Sequence, residues 1–331
     1  MDHAWLHQLK ETARIQVGVT GGAGRLGSWL TRFLVEAGHG VVVLDKRPPH
    51  PLPGLLYIHH DLRWRAPVPL GAFDGCDAVV HLAGLHGAHL AAGVDRREFW
   101  PVNVRGTQDV LEAAARAGVA RFILASSTSV FGSGTPQGEP ARVLTEQTKL
   151  NPEDVYDLTK VAAERLTEGE SALKSTILRF GRFFFPSQSG YHLRKLSTGL
   201  DVHDACQAIV YVLLTPQLPK RAYCVASDLP LSREQREMLG LDAIGVLRDA
   251  LPGFAEAAAA RGVQVPSRVS KSVSSDGLKR DTGYSPERTL QWLAQVWAGG
   301  KGTAKKRQVA MRRHASRDRA VAARGLGNAS C

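Results

Sequence analysis

A glycine-rich turn between an apolar strand and an amphipathic helix constrains the fold of this chain more than any other feature. The segment 15–27 reads IQVGVTGGAGRLG, with Gly21, Gly24 and Gly27 spaced three apart. The first glycine permits a tight turn, the second lets a pyrophosphate approach the backbone, and the third lets the helix pack close to the strand. The N–H groups at the start of that helix favour phosphate charge. This context predicts a dinucleotide-binding turn rather than an ordinary strand–helix connection.

Strand-like and helix-like segments alternate as far as Phe180, which is typical of a parallel sheet covered by helices. Helices are predicted at 98–117 and 153–167. The predicted fold class is therefore α/β, a Rossmann-type doubly wound parallel sheet with a smaller C-terminal substrate lobe. After the first strand, further strands are predicted at Val41–Asp45, Leu56–His59, Ala78–Leu82, Arg121–Ser127 and Thr176–Phe180.

The alternation breaks down after Phe180, and this change predicts the domain organisation. We expect an N-terminal segment (1–14), a dinucleotide-binding domain (15–180), a substrate lobe with closing helices (181–299) and a basic tail (300–331). Within the lobe, the sequence predicts a helix at Asp204–Leu214, a strand at Ala222–Ala226, a mostly helical stretch over 231–261 and a terminal helix pair at Asp276–Tyr284 and Pro286–Trp297.

The positive charge of the chain is concentrated in its last 31 residues. Nine Lys or Arg residues stand there against Asp318, so this tail carries +8 of the net charge of +11. The tail is poor in large apolar residues and has no aromatic side chain to stack on bases. A solubilising tail is therefore favoured over one that binds nucleic acid.

The four cysteines are scattered without metal-ligand spacing, so we expect reduced thiols, a cytoplasmic protein and no metal site. No apolar run approaches the length of a membrane span, and no secretory signal is visible at the start. Membrane association is therefore not expected.

Asp45 ends the second predicted strand, 18 residues beyond Gly27. An acid at that place is able to bond the ribose hydroxyls of adenosine and repels a 2′-phosphate, so it predicts NAD rather than NADP. Lys46, Arg47 and Arg25 supply cations nearby, which leave NADP open. The alternative reading of Asp45 is an exposed acid at a strand end.

Tyr156 and Lys160 are four residues apart and share one face of a predicted helix. A tyrosine phenol titrates near ~10, and a nearby ammonium lowers that pKa, which permits proton exchange near neutrality. Upstream, the run 125–132 (ASSTSVFG) places hydroxyl groups at the end of a strand, where they are able to bond a substrate oxygen. The alternatives are a solvated helix pair and ordinary turn chemistry.

Together these motifs resemble the extended short-chain dehydrogenases/reductases of the NAD-dependent epimerase/dehydratase family. The resemblance implies that Tyr156 is the acid/base, that Lys160 lowers its pKa and holds the nicotinamide ribose, that Ser127 is the catalytic hydroxyl, and that Asn103 positions the lysine. The segments that carry it are Thr20–Gly27, Asp45, Asp61–Leu62, His81–Gly84, Asn103–Thr107, Ser126–Gly132, Tyr156–Lys160, Leu178–Phe180 and Leu278–Pro286.

The resemblance also implies a set of cofactor contacts. Asp61 and Leu62 would flank the adenine, and Ala83 and Gly84 would line the dinucleotide. The remaining cofactor-binding residues would be Gly21, Gly24, Arg25, Leu26, Gly27, Asp45, Tyr156 and Lys160.

Departures from the family pattern bear on the substrate. Thr128 and Ser129 stand where the dehydratases carry an Asp-Glu pair, which disfavours 4,6-dehydration. The stretch 179–182 (RFGR) lacks the Asn of nucleotide-sugar epimerases, and the segment 186–204 is short for holding a nucleoside diphosphate. Thr128 remains a predicted substrate contact together with Ser127.

The segment 191–198 (YHLRKLST) resembles uronate dehydrogenases, in which an arginine before Leu-Ser-Thr grips a sugar carboxylate. Arg194 would take that role here, since a guanidinium pairs with a carboxylate through two hydrogen bonds. Arg182 would add positive potential in the same lobe. The alternative reading of Arg194 is a surface salt bridge.

These observations predict an NAD-dependent oxidoreductase that moves a hydride to or from a secondary alcohol carbon of a sugar or nucleotide sugar. Epimerisation and net oxidation both begin with removal of a hydride from the alcohol carbon, and both reactions stay open. One alternative is a sugar-acid dehydrogenase with Arg194 as carboxylate clamp. Another is a non-catalytic sensor or scaffold, which the intact Ser127, Tyr156 and Lys160 disfavour. The family also implies a homodimer through the helices that carry Val110 and Tyr156.

Overall fold

A seven-stranded parallel sheet forms the centre of the computed structural model, which describes residues 4–64, 66–184, 191–219 and 221–298. The strands follow the order β10-β7-β5-β4-β1-β2-β3 across the sheet. The eleven strands of the described residues are β1 Gln16–Thr20, β2 Gly40–Asp45, β3 Leu55–His59, β4 Ala78–His81, β5 Arg121–Ser127, β6 Arg142–Leu144, β7 Lys174–Phe180, β8 Arg182–Phe184, β9 Gly199–Asp201, β10 Ala222–Val225 and β11 Lys271–Val273. The remaining strands form two small pairs, β6 with β11 and β8 with β9.

Helices connect the strands and cover the sheet. None of the described helices is long and apolar enough to cross a membrane. They are α1 Ala4–Glu11, α2 Arg25–Glu36, α3 Gly87–Ala91, α4 Gly106–Arg116, α5 Val155–Gly169, α6 Tyr191–Arg194, α7 Val202–Leu214, α8 Arg233–Met238, α9 Ala243–Ala250, α10 Phe254–Ala259, α11 Asp276–Thr282 and α12 Leu290–Ala298.

Alternating side chains of the strands bury both faces of the sheet. In β2, Val41 and Val43 enter one core cluster, whereas Val42 and Leu44 enter another. The first cluster includes apolar side chains of α1, α2, α7 and α11, and the second includes those of α4 and α5. Burial on both faces explains why β2 reads as a continuous β-branched run. The predicted doubly wound α/β fold is confirmed.

The chain returns to the sheet after residue 180. β10 pairs in parallel with β7, from Ala222 beside Ile177 to Val225 beside Phe180. α7 buries its apolar side against the same core as α2. The predicted division at residue 180 is therefore not a boundary of the sheet. A separate apolar core, which includes Leu247, Phe254 and Trp297, is formed mainly by α9, α10 and α12 beyond it.

The long helix predicted at 98–117 is interrupted. A 3-10 turn spans Arg96–Glu98, a π-helical turn spans Pro101–Arg105, and α4 begins only at Gly106. The N–H of Gly106 donates to the carbonyl of Pro101, five residues back. Since proline has no N–H, the regular ladder is already incomplete at Pro101. Such π-helical turns recur at functional sites, and this one contains Asn103.

Candidate active site

The glycine loop is packed so closely that side chains would not fit at its key positions. Gly21 has a left-handed φ of 71°. A Cβ there would lie 2.7 Å from the Ala83 nitrogen, and one at Gly27 would lie 2.2 Å from the Gly21 oxygen. The Gly24 N–H donates to the Gly21 carbonyl at 2.9 Å. The loop therefore leads into α2 as a tight cradle next to the chain that follows β4.

The two remaining residues predicted in this loop, Arg25 and Leu26, lie in the first turn of α2 and differ in burial. Arg25 is exposed at the start of the helix, whereas Leu26 is buried in the core. Leu26 therefore anchors the helix, and the contact of Arg25 with the cofactor remains a prediction.

Asp45 links the end of β2 to the glycine loop. One carboxylate oxygen accepts from the Ala23 N–H at 3.0 Å, and the other accepts from the Arg47 N–H at 3.0 Å. The carboxylate thus lies on the loop predicted to hold the cofactor phosphates. This is the location expected for an acid that bonds a ribose next to them.

Asp61, predicted to flank the adenine, is paired with Arg63. The guanidinium donates to Oδ2 from Nη2 at 2.5 Å and from Nε at 3.0 Å, and to Oδ1 from Nε at 3.1 Å. Burial acts to raise the pKa of Asp61, but the hydrogen bonds from Arg63 outweigh it and lower the pKa. Leu62 beside it is buried, next to Gly106 at the start of α4.

Asn103 joins the segment after β4 to α5. Its Oδ1 accepts from the Leu85 N–H at 2.7 Å, and its Nδ2 donates to the Leu85 carbonyl and to Thr159 Oγ1, each at 3.0 Å. A Cβ on Gly84 would lie 3.1 Å from the Asn103 Oδ1. Asn103 therefore reaches the residue before Lys160, and its predicted effect on the lysine passes through Thr159.

A buried histidine that the sequence interpretation left without a role connects these elements. Thr107 Oγ1 donates its only proton to the Asn103 carbonyl at 2.6 Å. The contact of Thr107 Oγ1 with His81 Nε2 at 3.0 Å is therefore donated by the histidine. His81 Nδ1 then accepts from Thr20 Oγ1 at 2.6 Å, and Thr20 Oγ1 accepts from the Ala83 N–H at 3.2 Å. Burial lowers the pKa of His81 to about 3, so the ring is neutral. These bonds fix the ends of β1 and β4 to the π-helical turn.

Ser127 and Tyr156 meet at the carboxyl end of β5. Ser127 Oγ accepts from the Ser129 N–H at 3.1 Å and from Ser129 Oγ at 2.9 Å. The Tyr156 hydroxyl lies close enough to Ser127 and Ser129 for both side chains to act on its pKa. Ser129 was not among the predicted site residues, although the run of hydroxyl side chains was the signal for it. Thr128, a predicted substrate contact, is 4% exposed in the turn that follows.

The electrostatics of Tyr156 differ from the expectation. Burial raises the pKa of the phenol to about 12, and the hydrogen bonds from Ser127 and Ser129 oppose that rise. The expected lowering by Lys160 is not found. Lys160 Nζ donates instead to the Ala125 carbonyl at 2.5 Å, and burial lowers its pKa to about 8 while Glu164 opposes.

Two histidines, His86 directly before α3 and His89 on it, flank the same site. His86 Nδ1 accepts from the Ala88 N–H at 3.2 Å, and His89 Nδ1 accepts from the His86 N–H at 3.0 Å. A Cβ on the intervening Gly87 would lie 3.7 Å from the Tyr156 ring. Burial lowers the pKa of His86 to about 4, so its ring is neutral and carries its proton on Nε2. The sequence signal that could have identified these residues is a pair of histidines three residues apart, soon after the motif 81–84.

The predicted substrate arginines lie in the second half of the chain. Arg182 is exposed at the start of β8 and is close enough to His86 to lower the pKa of that ring further. Arg194 is exposed at the end of α6, and no ion pair joins it to a carboxylate of the described residues. Its ligand remains a prediction. Lys195 beside it is 1% exposed and donates to the Arg288 carbonyl.

No group of three or more His, Cys, Asp or Glu side chains is placed to hold a metal ion in the part of the chain that the structure describes.

An apolar hollow of about 410 Å³ lies on another face of α5 than Tyr156 and Lys160. It is lined by Trp100, Val104, Pro152, Leu158, Val161, Ala162, Arg165 and Leu166.

Comparison with known proteins settles the family. The family model described as "NAD dependent epimerase/dehydratase family" matches residues 17–228, from β1 to beyond β10. The chain belongs to this family. The resemblance inferred from the motifs is confirmed, and the family spans both the glycine loop and the Ser127–Tyr156 site.

Curated relatives of the family share part of their length with this chain. A 3 beta-hydroxysteroid dehydrogenase/Delta 5-->4-isomerase of Mycobacterium tuberculosis (strain CDC 1551 / Oshkosh) is 35% identical over 167 residues, which cover 48% of this chain and 43% of the relative. A UDP-glucose 4-epimerase of Streptomyces lividans is 33% identical over 177 residues, covering 46% and 47%. The chain thus spans about half the length of these relatives.

Solved structures resemble the fold over most of the chain. MoeE5 in complex with UDP-glucuronic acid and NAD has a TM-score of 0.60 at 22% identity and covers 85% of this chain and 99% of its own. A mutated uronate dehydrogenase has a TM-score of 0.58 at 18% identity and covers 88% of each chain. At these identities the likeness concerns the fold.

Proposed function

We propose that this chain is an NAD-dependent oxidoreductase that acts on a secondary alcohol carbon of a sugar or nucleotide sugar, with Tyr156 as acid/base. The observation that carries the proposal is that Tyr156 lies beside the hydrogen-bonded pair Ser127 and Ser129 at the carboxyl end of β5. Ligands of open parallel sheets bind at the carboxyl ends of the strands. Family membership supports the same reaction class.

The glycine loop fits a dinucleotide. A Cβ at Gly21, Gly24 or Gly27 would lie within 3.0 Å of backbone atoms, so the loop has room for backbone only. Asp45 lies against the loop at Ala23, in position to bond a ribose. When NAD is bound there, it supplies the hydride acceptor or donor. The carboxylate favours NAD, and the neighbouring Lys46 and Arg47 leave NADP as a second candidate.

The residues of the chain account for the proton. With its pKa raised to about 12, the Tyr156 hydroxyl is protonated at neutral pH in the structure and is able to donate to a carbonyl oxygen of the substrate. In the reverse direction the phenolate form of Tyr156 accepts the alcohol proton. Ser127 and Ser129 stabilise the resulting phenolate through hydrogen bonds, which favour the charged form. The Lys160 ammonium lies on the same helix face and adds a positive charge.

The substrate class rests on two different supports. The Streptomyces lividans relative is a UDP-glucose 4-epimerase, and MoeE5 was solved with UDP-glucuronic acid, which favour a nucleotide sugar. The exposed Arg194 and the likeness to a uronate dehydrogenase favour a free sugar acid as the second candidate. A carboxylate is common to UDP-glucuronic acid and a free uronate. The non-catalytic alternative gives no reason for Tyr156 to lie beside Ser127 at the carboxyl end of β5.

A substrate panel tests this proposal. Free sugars, uronic acids, nucleotide sugars and a 3β-hydroxysteroid are each offered with NAD, and NADH absorbance and products are followed. Steady NADH formation identifies a dehydrogenase, and product without NADH identifies an epimerase. Tyr156→Phe removes one hydroxyl and is the matched control, with an expected loss of about 10²–10⁴-fold in turnover. Activity of the Phe variant within a few-fold of the parent would show that Tyr156 is not the acid/base.

The apolar hollow beside α5 supports a homodimer. Trp100 and Leu158 line it and are each 48% exposed, which is unusual for large apolar side chains grouped on one surface. We infer that a second copy covers them.

Cys76, Cys206 and Cys224 are buried, and no disulfide joins them in the described ranges, which supports the proposed cytoplasmic location.

A further inference from the structure

Glu164 is a buried carboxylate on the helix that carries the proposed acid/base. It is 2% exposed and lies one helical turn beyond Lys160 and two beyond Tyr156. Residues four apart on a helix are neighbours on one face. A carboxylate that is removed from water requires charged or hydrogen-bonding partners. The partners of Glu164 connect α5 with two strands of the sheet.

Ser126 and Arg179 hold this carboxylate. Ser126 Oγ donates to Glu164 Oε1 at 2.5 Å. Arg179 donates through Nε to Oε1 at 3.1 Å and through Nη2 to Oε2 at 2.8 Å, so both oxygens are paired. The guanidinium lies 5.3 Å from the ring centre of Phe131, in the turn that follows Ser127. Glu164 thereby connects β5, β7 and the turn after β5 to α5.

The contact with Ser126 falls between two contacts of the proposed site. The preceding residue, Ala125, accepts from Lys160 Nζ at 2.5 Å. The following residue, Ser127, lies next to the Tyr156 hydroxyl and acts on its pKa. A shift of Ser126 would therefore move the partner of the lysine and the partner of the tyrosine together.

We propose that Glu164 is a positioning residue, which fixes the end of β5 beneath Tyr156 and keeps the Lys160 side chain in place. This inference rests on the proposed function of Tyr156 and Lys160. Glu164 acts through Ser126 and Lys160 and is itself buried behind them.

The charges around Lys160 and Glu164 determine what the loss of the carboxylate would do. Burial lowers the pKa of Lys160 to about 8, and Glu164 opposes this effect. From β4, His81 faces the ammonium but is neutral. Arg179 faces Glu164 from β7, and is itself influenced by Glu164, Cys224 and Glu168. Without the Glu164 charge, burial acts on Lys160 unopposed and the lysine loses its proton at lower pH.

A direct titration of the lysine tests the proposal. Glu164→Gln keeps the size of the side chain and removes its charge. The protein is labelled with ¹³C at lysine Cε, and the Lys160 signal is assigned by its absence in Lys160→Arg. We expect the pKa of Lys160 to fall by about one unit or more in Glu164→Gln, since an opposite charge at close range shifts a pKa by about 1–3 units. The pH above which turnover is lost should fall by the same amount.

Two further variants make the result specific. Glu168→Gln lies one turn further along α5, is exposed and also influences Arg179, so it is the matched control and should leave Lys160 unchanged. Glu164→Asp retains the charge on a shorter side chain and should restore most of the parent titration. If Glu164→Gln does not fold, the small downward shift that remains in Glu164→Asp, because its shorter side chain holds the charge further from Lys160, is compared with Glu168→Gln. A Lys160 pKa equal to that of the Glu168→Gln control overturns the proposal.

A purely structural role predicts a different outcome. In that case Glu164→Gln unfolds at a lower temperature, while the Lys160 titration and the pH profile of turnover stay as in the parent, and the proposal is overturned. The titration needs no substrate, so it is separate from the test of Tyr156. An active Tyr156→Phe variant would refute the proposed acid/base even if the Lys160 pKa depends on Glu164.

Discussion

Asn103 Nδ2 donates to Thr159 Oγ1 at 3.0 Å, which joins the π-helical turn to the residue directly before Lys160. The same side chain holds both backbone groups of Leu85. Asn103 therefore fixes the distance between the segment that lines the proposed cofactor site and the helix that carries the proposed acid/base. The two regions are 56 residues apart in the chain for the Thr159 contact and 18 for Leu85.

Asn103→Ala should reduce both stability and turnover. It leaves the Leu85 N–H and carbonyl without their partner, and an unsatisfied buried group costs about 1–3 kcal/mol. We expect the free energy of unfolding to fall by that order in urea denaturation. Thr159→Val, which removes one acceptor and keeps the Leu85 bonds, should cost less. Equal effects of the two substitutions would show that the Leu85 bonds contribute little.

Asp45→Asn should weaken the discrimination between NAD and NADP. Asparagine retains an oxygen for the Ala23 N–H but removes the charge that repels a 2′-phosphate. We expect the ratio of the NADP and NAD dissociation constants, measured by calorimetry, to fall by roughly tenfold, the effect of about 1.4 kcal/mol. Asp77→Asn, at an exposed acid that accepts from Gln16, is the control. Tighter binding of NADP than NAD by the parent would contradict the assignment of Asp45.

Lowering the pH should destabilise the protein through His81. Burial lowers its folded-state pKa to about 3 from an ordinary value of 6.5, so the unfolded chain binds the proton first. Stability is therefore complete above pH 6.5 and falls as the pH decreases towards 3. The slope from one such histidine is at most about 1.4 kcal/mol per pH unit. His81→Gln should show a correspondingly shallower fall in urea titrations between these values; an unchanged slope would show that His81 is not neutral by burial.

Leu158→Glu should convert a dimer to a monomer. It places a charge in the apolar hollow that we propose to be covered by a second copy. Sedimentation velocity should give the mass of two chains for the parent and of one chain for the variant. Met238→Glu is the control, because Met238 is similarly exposed at 45% but lies on α8. A monomeric parent at micromolar concentration would refute the dimer.

Local patterns predicted the sheet well. The continuous β-branched run of β2 and the seven residues of β5 gave these strands within one residue of their observed bounds. The glycine loop was equally accessible, because its spacing follows directly from the need for backbone approach at Gly21 and Gly27. In each case the residues that determine the local structure are neighbours in the sequence.

Contacts between distant segments were not accessible in the same way. The bond of Thr20 to His81 joins residues 61 apart, and no local pattern predicts it. The edge position of β10 depends on pairing with β7, whereas its four residues are too short to indicate a sheet. The direction of the Tyr156 pKa was missed because burial by other elements, and not the i,i+4 spacing to Lys160, dominates it.

Arg194→Met should identify the substrate class. A sugar acid offers a carboxylate with two oxygens to the guanidinium, whereas a neutral sugar offers no charged partner. If the substrate is a sugar acid, the loss of a charge-assisted hydrogen bond of about 1.5–3 kcal/mol should lower kcat/KM at least tenfold, mainly through KM. Arg194→Lys should recover part of this, because an ammonium lacks the planar fork.

The comparison needs both substrate types and a surface control. NAD affinity should be unchanged in Arg194→Met, because the glycine loop and Asp45 that we propose to bind NAD belong to β1, α2 and β2. Arg248→Met, at an exposed arginine of α9, should leave all constants as in the parent. A nucleotide sugar can engage Arg194 through its diphosphate, so free uronate and nucleotide sugar are assayed side by side. Turnover of the nucleotide sugar alone would exclude the free sugar acid and favour the epimerase reaction.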